Sequence, residues 1–293
     1  MTGGRAPSRP PDDRPRPTPS PGAARAWPSS ASSTPAPVAP HPIAARQRWR
    51  LYLRLPAVQQ PGELPAGSGA WATLLERSGL PLAGEPGRGR VVPAAQLPLG
   101  IAGEREIVDL VLAARLPAAA VRAAVRAVLP PHVEIVDLHD VWVGAASASA
   151  ALVAADYRVE VTGVPTLALR VAAEALLAAS SLPRERHREK KTQSIDLRPL
   201  ILSLSVAAIL PPAGTGGGPL ADGQNAEAGP GARTNGSGAP ATVLRLRLRH
   251  RPDAVGRPED VVAALAAPPA PPLDGGIHVV RIVRERLLTG DDA

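Results

Sequence analysis

Two segments of this chain alternate so strictly that they specify strands with one dry face. In residues 46–55, Trp49, Leu51, Leu53 and Leu55 fall on one side, and Arg46, Arg48, Arg50, Tyr52 and Arg54 on the other. In residues 242–250, Leu244, Leu246 and Leu248 oppose Arg245, Arg247 and Arg249. Successive side chains of a strand point to opposite faces, so a period of two sorts apolar from charged residues. A sheet built on such strands is covered on one side and, on the other, wet or occupied by a partner.

The remaining periodic segments arrange themselves around these two. A short helix over 69–78 carries Trp71, Leu74 and Leu75 and stops near Gly79. A weak strand lies around 90–96 and a stronger one over 105–112. Pro117 then opens a helix with Val121, Val125 and Val128, which Pro130 and Pro131 end. A strand over 133–143 completes β-α-β-β-α-β, the order of a ferredoxin-like unit.

That order recurs. A strand over 157–161 precedes a helix over 167–179, with Leu167, Val171, Ala175 and Leu176 along one side, and a long strand over 195–209. After the 242–250 strand, Pro258 opens a helix whose Glu259 and Asp260 suit the positive end of its dipole, and 277–288 closes the unit. The expected fold is α+β, with two tandem ferredoxin-like units over residues 43–146 and 147–290.

Two stretches stand outside the pattern. Residues 1–42 are Pro, Ala, Ser, Arg and Gly with almost no large apolar side chains, which predicts a disordered tail. Residues 211–241 repeat that composition and read as a flexible insertion in the second unit. Elsewhere the core is built without Phe and with two Tyr and four Trp, so Leu, Val, Ile and Ala fill it.

The absence of Cys excludes a disulfide, a thiolate zinc site, a Cys nucleophile and a cysteine-ligated iron–sulfur cluster. No segment approaches the roughly 20 apolar residues of a membrane span, and residues 1–42 have no signal-peptide core, so a cytoplasmic protein without a membrane partner is expected. The six His show no metal-ligand spacing, and no G-x-S-x-G elbow is present. The Gly-rich run 214–218 lacks the Gly-Lys-Ser/Thr end of a phosphate loop. No metal, cofactor or catalytic residue is expected.

The formal net charge is +7 and the pI about 10.9, values that suit an acidic partner such as RNA. Lys190 and Lys191 are the only lysines among many arginines, the usage of a GC-rich genome, and this explains part of the charge. Arg184, Arg186, Arg188, Lys190 and Lys191 gather in one polar stretch that leads into Asp196 and Arg198. It reads either as a solvated hairpin or as a cationic rim for phosphates. Asp196 and Arg198, on the same side of a strand, make either a structural ion pair or part of a ligand site. Few aromatics are present to stack bases, Tyr52 being the evident candidate on a sheet face.

From about residue 48 to 288 the chain resembles the radical SAM-linked protein family, a bacterial domain found beside or fused to radical SAM proteins. The resemblance rests on Leu97-Pro98-Leu99-Gly100, Asp156-Tyr157-Arg158-Val159, Lys190-Lys191, Asp196-Leu197-Arg198-Pro199-Leu200-Ile201 and Arg257-Pro258-Glu259. The family's Ser-His-Leu-Asp stretch after the first strand and Gly-Phe-Asn-Pro-His stretch after the first helix have no counterpart, since residues 56–68 and 84–96 hold no His.

The resemblance implies an association with radical SAM chemistry and no particular activity. The expectation is a non-catalytic binding or accessory protein whose partner is a radical SAM protein or RNA, acting in RNA modification or RNA metabolism. Its anion- or partner-binding residues are Lys190, Lys191, Arg188, Asp196, Arg198 and Arg257. The alternative is an enzyme with a polar site around Asp196, Arg198, Lys190 and Arg257. A pocket joining those side chains favours the enzyme, and an open basic sheet face favours binding.

Overall fold

Alternation becomes architecture in β1 (Gln47–Leu55), where Trp49, Leu51, Leu53 and Leu55 are all buried. The computed structural model describes residues 43–85, 88–188, 191–208, 242–251 and 254–290. The tail over 1–42 and the insertion over 211–241 lie outside the described residues. The first half continues with α1 (Gly67–Glu76), the short β2 (Gly84–Glu85) and β3 (Arg88–Gly89), then β4 (Val91–Pro93), β5 (Ile101–Leu112), α2 (Ala118–Val128) and β6 (Glu134–Val141). The second half comprises α3 (Ala148–Ala151), β7 (Leu152–Thr162), α4 (Thr166–Ala178), β8 (Pro183–Arg188), β9 (Lys191–Asp196), β10 (Ile201–Ala208), β11 (Thr242–Arg251), β12 (Ala254–Val255), α5 (Pro258–Leu265) and β13 (His278–Thr289).

One sheet runs through both halves in the order β10-β11-β7-β13-β5-β1-β6, with β4 beside β5 and β12 beside β11. Its pairings are antiparallel except β13 with β5. In each half the first long strand lies between two later ones: β1 between β5 and β6, and β7 between β11 and β13. The 12-residue β5 joins the halves. Its first residues, Ile101 to Gly103, pair with Ile282 to Arg284 of β13, and Val108 to Leu110 further along pair with β4.

The chain is thus a mixed α+β protein built on one mixed sheet. No helix among the described residues is long and apolar enough to cross a membrane. Trp71 and Leu75 of α1 and Val121 and Val125 of α2 pack on Trp49, Leu51 and Leu53. In the second half, α4 and α5 pack on Val159, Leu244 and Leu248. Aromatic scarcity is met as composition suggests, by many small and branched side chains.

Two local expectations differ from the structure. The inner side of α4 is Leu169, Ala172, Ala173 and Leu176, whereas Leu167 and Val171 face solvent. Both sets have helical spacing, and the two alanines let the helix sit close to the sheet. The long strand over 195–209 is broken by a 3-10 turn, Arg198–Leu200, with Pro199 inside it. The piece before the turn, β9, pairs with β8 as a separate hairpin, and the piece after it, β10, joins the large sheet.

Candidate functional site: a cavity at the seam

The parallel junction of β13 with β5 places an arginine where apolar side chains usually sit. Arg284 is fully buried and grips Glu106 of β5 with two hydrogen bonds, Nε to Oε1 at 2.7 Å and Nη2 to Oε2 at 2.5 Å. Its Nη1 also donates to the Gln96 carbonyl at 3.3 Å. Gly103 makes room for the pair. A Cβ there would meet the Glu106 carboxylate Oε1 at 2.7 Å, so any larger residue would displace the acid from its partner. Such a bidentate, charge-assisted pair is the geometry that offsets the cost of burying two charges.

Arg284 lies opposite Tyr157 of β7 in register, so both point to the same face. Burial pushes the Tyr157 hydroxyl above the usual phenol range, although the Arg284 guanidinium beside it acts the other way. Across from them, His250 of β11 has its Nδ1 buried without a hydrogen-bond partner. Burial, helped by the charge of Arg284, holds the imidazole pKa down to about 4, so it is neutral at pH 7.

Tyr157, His250 and Arg284 line a cavity of about 540 Å³. Its rim is the start of α5, with Arg257, Glu259 and Asp260, and its opposite wall is Gln96 and Pro98 of the first half. Gly256 brings this rim close, because a Cβ there would meet the Leu248 Cβ at 2.9 Å. Asp260 is held by Arg186 of β8, whose Nε donates at 2.8 Å and whose Nη2 also bonds the Val255 carbonyl at 2.8 Å. Two charge pairs are therefore matched, Arg284 with Glu106 and Arg186 with Asp260, while Arg257 and Glu259 both line the mouth. Among the described residues no cluster of three or more His, Asp or Glu is placed to hold a metal ion.

Of the residues singled out from the sequence, Arg257 lines this cavity. Asp196 accepts from the backbone N–H of Leu182 at 2.7 Å and of Arg198 at 3.0 Å, which holds its carboxyl below the usual range, the Leu182 bond most strongly. The Arg198 guanidinium turns away to the carbonyls of Leu177 and Ile201. These two residues build the turn after β9. Lys190 lies outside the described residues. Arg188 and Lys191 end β8 and begin β9, and their side chains lie outside the described part.

The arginine face of the sheet is largely neutralised from within. Arg50 pairs with the buried Asp109 at 2.8 Å, and Arg54 with Glu134 at 2.7 Å. Arg247 and Arg286 share Asp156, each at 2.8 Å, and Arg245 pairs with Glu285 at 3.1 Å. Tyr52, the candidate stacking ring, is covered by the Arg105 guanidinium 4.1 Å from its centroid. Arg284, Glu106, Tyr157 and His250 were missed by sequence reasoning. The available signal was a charge in the dry phase of a strand: Glu106 lies opposite the buried Leu53 in register.

The architecture and the cavity define a class: a mixed α+β protein with a polar chamber where its two halves share a sheet. The model of a family described as an uncharacterized protein conserved in bacteria, DUF2344, matches residues 74–221, just over half of the chain, and the chain belongs to that family. No curated protein matches it. The matched span contains Gln96, Pro98 and Tyr157 of the cavity lining and Glu106, the partner of Arg284, and the other lining residues lie beyond it.

Proposed function

We propose that the chain is a non-catalytic accessory protein that holds a small polar ligand in the seam cavity and works beside a radical SAM protein in the cytoplasm. It is composed of two ferredoxin-like units, residues 43–146 and 147–290. The strand orders β4-β5-β1-β6 and β10-β11-β7-β13, each with helical crossovers, support that description. What supports the reading is the cavity itself, roomy, and lined by the buried Tyr157 and Arg284 of the second half together with Gln96 and Pro98 of the first. Its matched charges favour a neutral or zwitterionic ligand over a polyanion, since an added anion would meet no free positive charge but Arg257 at the rim.

RNA is the weaker partner on two grounds: the arginine face is occupied by its own carboxylates, and Tyr52 is covered. The enzymatic alternative loses Asp196 and Arg198 to turn formation and retains Arg257 among its described residues. The family resemblance supplies the radical SAM partner. Mixed with a radical SAM protein of the same genome, the full chain is expected to co-elute with it on size exclusion. Separate elution at concentrations of tens of micromolar would remove the partner from the proposal.

A further inference from the structure

At the far end of the sheet from the seam cavity, β6 runs into a turn that presents Trp142 to solvent. Its side chain is 78% exposed, whereas Trp49 and Trp71 are buried. A single exposed apolar side chain is ordinary on a protein surface, so what sets this indole apart is its fixed placement. This one is held. A Cβ on Gly144 would meet the six-membered ring at 2.6 Å, so the glycine backbone lies close against the ring.

The turn itself is pinned from below by Arg48, a buried side chain whose Nη1 donates to the Ala145 carbonyl at 2.5 Å and the Ala146 carbonyl at 3.3 Å. The Ala145 N–H closes the turn onto the Trp142 carbonyl at 3.0 Å. An aromatic shelf fixed in this way loses little conformational freedom when something stacks on it.

Beside the shelf lies a cavity of about 290 Å³, also lined by Arg46, Arg115 and Asp140. Arg46 and Arg115 have no carboxylate partner among the described residues, in contrast to the paired arginines of the sheet face. Asp140 is placed by a relay. The buried Gln47 accepts from the Leu116 N–H at 2.8 Å, which fixes its amide, and its Nε2 donates to Asp140 Oδ2 at 2.9 Å. The site thus combines a flat π surface, two free guanidiniums and one oriented carboxylate.

A bare phosphate would use the arginines and be repelled by the carboxylate. An apolar side chain would use the indole alone. A nucleotide uses all three: its base stacks on the indole, its phosphate takes the guanidiniums, and its exocyclic amine donates to the carboxylate. We propose that the shelf of Trp142 with Arg46, Arg115 and Asp140 is a binding site for a purine nucleotide, either free or as one unit of a single strand. The site is independent of the seam cavity and stands or falls separately from it.

Isothermal titration of the full chain with AMP, GMP, adenosine and inorganic phosphate tests the assignment. Saturable binding of AMP or GMP is expected, with adenosine weaker by about tenfold or more for want of the phosphate contacts. Trp142→Leu and the Arg46→Glu/Arg115→Glu double variant, all at exposed positions, should stay folded by circular dichroism and weaken nucleotide binding by about tenfold or more. An eight-residue oligoadenylate that binds more tightly than AMP, with a steeper loss on added salt, identifies a strand as the source. Equal affinity identifies the free nucleotide. Absence of binding by mononucleotides and oligoadenylate alike, or undiminished binding by the folded Trp142→Leu chain, would overturn the proposal.

Discussion

Arg284 has no contact with water, and its charge is tolerable only because Glu106 meets it with both oxygens. Replacing it with Met strands a buried carboxylate, which typically costs 3–5 kcal/mol, whereas replacing both residues by Met and Leu removes the orphan and restores much of the loss. Urea unfolding of the two variants checks this, and a loss under about 1 kcal/mol for Arg284→Met would mean that water reaches Glu106. His250 gives the second test at this scale. Its pKa near 4 in the folded chain lies below the ordinary value of 6.5, so the unfolded chain binds the extra proton. The stability associated with its neutral state is therefore complete above pH 6.5 and is lost as pH falls toward 4. The full effect is on the order of 2–3 kcal/mol, discounted for the partial exposure of the ring. His250→Gln should flatten that part of the stability profile, and an unchanged acid limb would assign it to the carboxylates.

Elements with strong periodicity are legible in the sequence. Strands β1 and β11 follow from alternation, α5 from Pro258 and its acidic first turn, and the strand after α2 from the two prolines that end the helix. What alternation could not supply was phase in a segment rich in alanine. Leu167 and Leu169 each begin a helical stripe, and the choice between them is made by the sheet beneath α4, which accepts Ala172 and Ala173. Nor could it show the break at Pro199, because residues 195–209 remain apolar enough to pass for one strand. The basic stretch was visible as charge, yet its role depends on a partner 74 residues away, since Arg186 reaches Asp260 across the hairpin. Candidate sites chosen by charge density alone thus pointed to turn-forming residues, Asp196 and Arg198, and touched the cavity at Arg257.

At the scale of the whole molecule, the seam is the feature that sequence could not reveal. A repeated element order gives the strands of each half, but the pairing of Ile101 with Ile282 joins positions with nothing in common except edge availability. That one junction turns two sheets into one and brings Gln96 and Glu106 from the first half against Tyr157, His250 and Arg284 from the second. The proposed function therefore requires that the cavity at this junction be a working ligand site. The direct measurement is a thermal-shift titration of the full chain with methionine, glutamine and ribose, set against citrate and succinate, in wild type and in Val255→Trp. Val255 lines the cavity, and the larger side chain is chosen to fill it. A ligand that binds only the folded state raises Tm with its concentration. At least one neutral or zwitterionic compound is expected to raise the wild-type Tm and leave Val255→Trp unmoved, while citrate and succinate shift neither. Equal shifts in both proteins, a response confined to the anions, or no response to any of the five would contradict it.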